Sequence, residues 1–306
     1  MKSDRPLTVS VEALAARLGG EGSPLRLLDV RPADAYARAH LLGAVNSCVY
    51  EIQFPERLPT ILPDKRECVG VYGDSAETRE AGMAAEKLLR LGYGEVVVLA
   101  GGLDAWVARG GRLEGTSAPA ADESAPLNGR RNLDTNESRL EWTGRNLLNR
   151  HRGTLGVVDG WLEFRDGVPR GGDFTFDMNA IVCGNLKDDP LHDVLVDHLR
   201  SHDFFDTEFH PTAGFRLLSA ERVSGATPGA TNLRCAGELT LKGHTLPLRF
   251  EAAAGRTPGG AFAAQAVLAF DRTQWGVLYG SGRFFRNLGM HLVNDLIEVS
   301  VRVVTR

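Results

Sequence analysis

Two apolar periods divide the chain. Through residue 114, compact apolar runs alternate with stretches of helical spacing. Ser10 precedes VEALAARL, where Val11, Leu14 and Leu18 share one helical face, so Ser10 reads as an N-cap. LRLLDV (25–30), GAVNSCVY (43–50), CVGVYG (68–73) and EVVVLAGG (95–102) are short runs of the kind that form strands buried on both faces. ADAYARAH, AGMAAEKLLRLGY (81–93) and LDAWVARGG follow them as helices. This alternation predicts an α/β domain with a mostly parallel sheet over residues 1–114.

Residues 115–133, GTSAPAADESAPLNGRRNL, keep no apolar period and read as a linker. From residue 134 to 306 the period is two. Phe174, Phe176 and Met178 share one face of GGDFTFDMNAI, and Thr175, Asp177 and Asn179 the other. NLRCAGELTLKG, LPLRFEA, AFAAQAVLAFDR and IEVSVRVV alternate in the same way, and EWTGRNL, GWLEF and AGFRLLSAERV complete a set of about eight strands. RDG, TPGA, KGH and TPGG mark turns, and DPLHDVLVDHLRSHDFF (189–205) is the one helical insertion. Such a set predicts an antiparallel sandwich or a closed up-and-down barrel.

Composition narrows the class. With 43% hydrophobic and 24% charged residues among 306, the chain is globular rather than disordered. A net charge of −4 without a dense Lys/Arg run argues against nucleic acid as a partner. No apolar run approaches the ~20 residues of a membrane span. MKSDRPLTVSVEALAARLGG lacks a signal-peptide core, which gives a cytoplasmic expectation. Cys48, Cys68, Cys183 and Cys235 are widely spaced and read as reduced, mostly buried thiols.

VYGDSAETREAG (71–82) has the strand–loop–helix outline of an anion-binding catalytic loop. LLDVRPADAYARAHLLGAVN resembles the rhodanese signature through Asp29, Val30, Arg31, Tyr36, His40, Gly43, Ala44 and Asn46. VVVLAGGLDAWVARG resembles the family's closing segment through Gly101, Gly102 and Trp106. The resemblance implies a loop that opens on a nucleophilic cysteine and closes on an arginine. Here the loop is Gly73, Asp74, Ser75, Ala76, Glu77, Thr78 and Arg79, so no thiol stands at its first position. A catalytically inactive module is therefore expected. The alternative is a sulfurtransferase-type enzyme acting through Ser75, Cys48 or Cys68.

SRLEWTGRNLLNRHRGTLGVVDGWLEF, HLRSHDFFDTEFHPTAGFRL, GELTLKGHTLPLRF and DRTQWGVLYGSGRFFRNLGMHLVNDLIEVSV resemble four motifs of the YceI-like, polyisoprenoid-binding family. The resemblance implies a lipocalin-like antiparallel barrel holding an isoprenoid lipid, a quinone or another long-chain apolar molecule. Phe164, Phe174, Phe176, Met178, Phe204, Phe205, Phe215, Leu268, Phe270, Trp275, Tyr279, Phe284 and Phe285 are then the candidate ligand-binding residues. Periodicity alone leaves open whether the inward side chains surround a ligand or fill a core. The pairs Phe204–Phe205 and Phe284–Phe285 are placed at the barrel mouth or as a plug. Glycine-rich YGSGRFF, with Arg283 and Arg286, reads as an anion-steering turn or a structural one. His198 and His202 stand at metal-ligand spacing, but no HExxH is present, and neither a metal nor a catalytic cofactor is expected. Homodimerisation is left open.

Overall fold

In the N-terminal unit, β1 (Leu7–Val9) leads into α1 (Val11–Gly19), where the Ser10 hydroxyl accepts the Ala13 amide at 3.3 Å. Then follow β2 (Leu25–Asp29), α2 (Ala33–Arg38), β3 (His40–Leu41), β4 (Val45–Asn46), α3 (Phe54–Ile61), β5 (Cys68–Tyr72), α4 (Glu80–Arg90), β6 (Glu95–Leu99), α5 (Gly102–Ala108) and β7 (Leu113–Glu114). The computed structural model describes residues 6–20, 25–116, 125–257 and 259–306. Residues 117–124 of the expected linker lie outside the described part.

The five-stranded sheet runs β1-β6-β5-β2-β4 with every pair parallel. CVGVY of β5 is buried at all five positions, as a central strand covered on both faces must be. One face packs Phe54, Leu58, Ala84, Ala85 and Leu88 from α3 and α4. The other packs Leu14 and Trp106 from α1 and α5. Helix α3 gives no apolar period because FPERLPTI carries two prolines. Pro55 falls in the first turn, where no N–H is needed, and burial of Phe54 and Leu58 holds the turn that Pro59 weakens. Of GAVNSCVY only Val45–Asn46 pairs as a strand; beyond it, the amides of Ser47 and Val49 bond the carbonyls of Asp29 and Val30.

The chain divides into two compact units at Asp122/Glu123. The second contains β8 (Gly129–Asn132), β9 (Arg139–Arg145), β10 (Arg150–Arg165), β11 (Val168–Cys183), α6 (Leu191–Arg200), β12 (Thr212–Arg222), β13 (Leu233–Leu241), β14 (His244–Arg256), β15 (Phe262–Asp271) and β16 (Leu296–Val304). Strands β9 to β16 close an antiparallel eight-stranded barrel through β10–β11 and β16–β9. The long β10 is paired on one edge by β9 at residues 150–155 and by β8 at residues 161–164. Strand β8 lies within the stretch read as linker. Its GRRN has no apolar alternation, and Arg130 lies 4.1 Å over the Trp161 ring. The β10–β11 register shifts at three places, after Thr154, Val157 and Glu163, and the extra residue Val158 after Val157 bulges β10 itself.

The β15–β16 connection is tied down by Arg272, only 1% exposed. Its guanidinium donates to the carbonyls of Asn294 at 3.1 Å, Val277 at 2.5 Å and Val293 at 3.2 Å. Replacing it with methionine leaves three sheltered carbonyls without that donor. Arg272→Met is expected to destabilise the barrel by about 3 kcal/mol, read as a lower urea midpoint followed by tryptophan fluorescence.

Candidate functional sites

The loop at the carboxyl end of β5 is built on a buried ion pair. Asp29 and Arg31 form a two-bond fork, with Nε–Oδ1 at 3.0 Å and Nη2–Oδ2 at 2.7 Å. Arg31 also donates to Asp74 in the loop at 3.0 Å and to the Ala39 carbonyl at 2.6 Å. Burial disfavours this charge, and the Asp29 and Asp74 carboxylates outweigh that, so the Arg31 pKa is raised. Asn46 donates to the carbonyls of Asp29 and Arg31, and the Tyr36 ring stacks on His40. The signature residues thus form the floor under the loop.

Gly101 and Gly102 adopt φ of 75° and 57°. A Cβ on Gly102 would stand 2.6 Å from the Gly73 carbonyl oxygen, so only glycine lets α5 approach the loop. Leu103 and Asp104 then donate to the carbonyls of Gly73 and Asp74 at 2.9 Å each.

The space beside Gly73 is occupied. A Cβ there would meet the Glu80 carboxylate, with Oε1 at 2.3 Å and Cδ at 2.6 Å. Glu80, the first residue of α4, is 3% exposed and accepts the Asp74 amide at 2.7 Å. Burial pushes its pKa up, but hydrogen bonds from the Asp74 amide, Thr78 and Tyr50 prevail and lower it. Two further loop amides are engaged internally: Ser75 donates to Thr78 Oγ1 and Glu77 to Ser75 Oγ, both at 3.2 Å. Ala76 and Arg79 complete the loop, Arg79 as the residue preceding α4.

Neither thiol of this unit belongs to the 73–79 loop. Cys68 opens β5, four residues upstream of Tyr72, which puts it about 13 Å from the loop end of the strand. Burial pushes its pKa up to about 11. Cys48 is 6% exposed, and Ser75 Oγ serves as a turn acceptor.

Inside the barrel, alternate residues of all eight strands enclose a cavity of about 280 Å³, near the lower end of small-molecule pockets at ~300 Å³. Phe174, Phe176, Met178, Phe204, Phe205, Phe215, Leu268 and Phe270 line it. Phe174, Phe215 and Phe250 form an aromatic row at centroid spacings of 5.9 and 5.6 Å. Ala264 and Ala266 leave width opposite that bulk. Phe164 is buried at one end, edge-to-face with Phe262 at 4.9 Å, and is not in the cavity wall. Trp275 is also outside the wall, donating from Nε1 to the Leu239 carbonyl at 2.9 Å. Tyr279 packs between His198 and Phe204 at 4.5 and 5.3 Å, which makes His198 part of an aromatic cap.

Phe284 and Phe285 lie outside the cavity wall and are about half exposed, in a turn where both their amides donate to the Ser281 carbonyl. Arg283 is held to Asp271 at 3.0 Å and donates to Thr273, so it stabilises the turn. The wall residues without an earlier signal are Leu140, Trp142 and Leu155 of β9 and β10, where glycines and bulges interrupt the alternation.

Residues 132–305, which contain this eight-stranded barrel and its apolar cavity, match the family model of the YceI-like domain. The chain belongs to the YceI-like family. Residues 10–109 match the rhodanese-like domain, so a rhodanese-like domain precedes the YceI-like one. No curated protein matches the chain. Among solved structures, Burkholderia cenocepacia BcnA is 18% identical, with 57% of this chain and 99% of that one covered at a TM-score of 0.44. A polyisoprenoid-binding domain from Saccharophagus degradans is 15% identical over 59% and 99%, also at 0.44. The rhodanese-like domain of Alr3790 from Anabaena sp. is 31% identical over 37% and 85%, at 0.33. No described helix of this YceI-like protein is long and apolar enough to cross a membrane.

Two outcomes test the loop. Gly73→Cys alone is expected to remain without thiosulfate-to-cyanide sulfur transfer, because the new side chain collides with a carboxylate that also disfavours a thiolate. Gly73→Cys with Glu80→Ala is expected to raise turnover at least about tenfold above the single variant. The second concerns pH. Glu80 has a folded pKa below its unfolded one, so its stabilisation is present at neutral pH and lost as pH falls through the folded value. The stability difference between parent and Glu80→Gln should shrink from about pH 7 to about pH 3 in urea titrations.

Proposed function

We propose that the barrel binds a single long-chain apolar molecule, an isoprenoid lipid or prenylated quinone, and that the N-terminal domain is a catalytically silent module. The cavity carries this reading. Eight strands leave an interior that side chains can fill, yet Ala264 and Ala266 stand where larger residues would complete the packing. Its wall is formed mostly by Leu, Val, Ile, Phe and Ala, with Arg145, Asn146, His151, Gln265, Arg272 and Asn294 as its polar members, a balance that favours hydrocarbon over a polar substrate. Membership of the YceI-like family and the polyisoprenoid-binding assignment of the Saccharophagus degradans domain agree with this ligand class.

Catalytic silence of the rhodanese-like domain is supported by the lack of a side chain at Gly73 and by Glu80 standing in its place. A carboxylate already accepts the amide that an anionic substrate would need.

Solvent extraction and mass spectrometry of the purified protein, with titration by a prenylated quinone, test the binding claim. A co-purifying or saturably bound isoprenoid is expected; absence of both would sink it. Ala266→Phe fills the cavity from its wall. It should weaken quinone binding more than about tenfold while changing stability by less than about 1.5 kcal/mol.

A further inference from the structure

Two loops at one end of the barrel share an unusual composition. The β9–β10 loop reads RNLLNR over residues 145–150, and the segment after Ser281 reads GRFFRN over residues 282–287. Each sets an apolar doublet between arginines. Across residues 145–152 and 279–293 there is no Asp or Glu. The doublets do not pack inward: Leu147 is 87% exposed, Leu148 70%, Phe284 51% and Phe285 47%, with Met290 of the same connection at 64%. Isolated exposed apolar residues need no explanation, whereas a cluster rimmed by one sign of charge marks a binding surface.

The loops are neighbours. The Asn294 amide donates to the Arg145 carbonyl and the Val293 amide to the Gly280 carbonyl, both at 2.8 Å. They also border the cavity, because Arg145, Asn146, Val293 and Asn294 belong to its wall. Phe164 and Phe262 close the opposite end. Arg145 is neutralised by a fork with Glu298, and Arg283 by Asp271. Arg150 and Arg286 are exposed and make no salt bridge among the described residues. The carboxylates at this end are Asp271, Asp295 and Glu298, paired with Arg283, Arg272 and Arg145, and Asp188, Asp189, Asp193, Asp197 and Asp203 on and around α6, which leaves residues 145–152 and 279–293 as the basic side.

We propose that this rim docks onto the surface of an anionic phospholipid bilayer. Leu147, Leu148, Phe284, Phe285 and Met290 enter the boundary between headgroups and acyl chains, while Arg150 and Arg286 meet lipid phosphates. Charge complementarity selects this occupant. Apolar side chains with free guanidiniums, and no carboxylate between them, match an anionic interface. A protein partner with the same apolar footprint would not require the uniform sign. The location also suits the cavity: an apolar cargo dissolved in a bilayer reaches the barrel through the end pressed against it. The proposal rests on the ligand-binding reading for its purpose, and on the rim alone for its evidence.

Sedimentation of the full chain with vesicles tests it, using phosphatidylcholine alone and phosphatidylcholine mixed with phosphatidylglycerol, both free of isoprenoid. The protein should sediment with the mixed vesicles and weakly with the neutral ones, and added salt should release it. Arg150→Gln and Arg286→Gln should each weaken binding about fivefold. Leu147→Ser with Leu148→Ser should weaken it by more than about tenfold, with the urea midpoint unchanged. No sedimentation with the mixed vesicles, or sedimentation that these variants leave unchanged, would overturn the proposal. So would a dimer in light scattering that the Leu147/Leu148 variant dissolves while vesicles stay unbound, since a second copy would then cover the face. Quinone binding by the unaltered protein, measured without vesicles, is a separate readout, so failure of the cargo reading is told apart from failure of docking.

Discussion

Closure of the barrel depends on one strand having enough partners. β10 is 16 residues long and bonds β11 along one edge, while its other edge is divided between β9 and β8. A strand of that length left half-paired would expose a row of amides and carbonyls, which costs stability and invites association. The split edge solves this with two short segments in place of one long strand. It also explains why β8 joins the sheet beside the closed ring although its sequence shows no strand period. The Leu133–Thr305 bridge then joins the end of this segment to the chain's last residues. Once the ring is closed, the inward alternation of eight strands must meet in the middle. The cavity is what remains where small residues meet large ones.

The N-terminal domain satisfies its backbone in a different way. A loop of free amides at the start of a helix is an anion site with or without a nucleophile. Here the anion is the chain's own. Glu80 enters the space a side chain at Gly73 would need, and Arg31 fixes Asp74 from below. Gly73 and Glu80 therefore form a coupled pair: a side chain restored at the first position requires the Glu80 carboxylate to leave the place where it accepts the Asp74 amide. The fold of the domain survives because Asp29, Arg31, Tyr36, His40 and Asn46 act beneath the loop.

Much of this was legible in the sequence. The period-two faces of Phe174–Phe176–Met178 and of Leu268–Phe270 point into the cavity as alternation requires, and the buried runs 25–30, 68–73 and 95–102 hold the parallel sheet. What periodicity missed has local causes. Helix α3 was hidden by Pro55 and Pro59, and β8 by its arginines. The inward residues of β9 and β10 were hidden by Gly144, Gly153 and the bulges that shift the phase. Phe284 and Phe285 show the converse. They were expected at the barrel mouth or as a plug; they lie outside the cavity wall, because aromatic side chains after a tight turn carry no phase and the path of the chain decides which way they face. That Glu80 fills the space at Gly73 depends on a helix start that spacing does not fix.

The two ends of the barrel are unlike for a physical reason. At the closed end, Leu133 packs into the notch of Gly160, and Phe164 meets Phe262. There the strands end in contacts that exclude both water and ligand. At the other end the β15–β16 connection spans residues 272–295, too long to fold as a tight hairpin. Arg272 holds it through three backbone carbonyls, and Trp275 and Val277 bury their side chains in the barrel core. Tyr279 packs on His198 and Phe204, the latter in the cavity wall. The anchoring is therefore divided: the guanidinium orders the backbone of the connection, while its apolar side chains cover part of the cavity from that end.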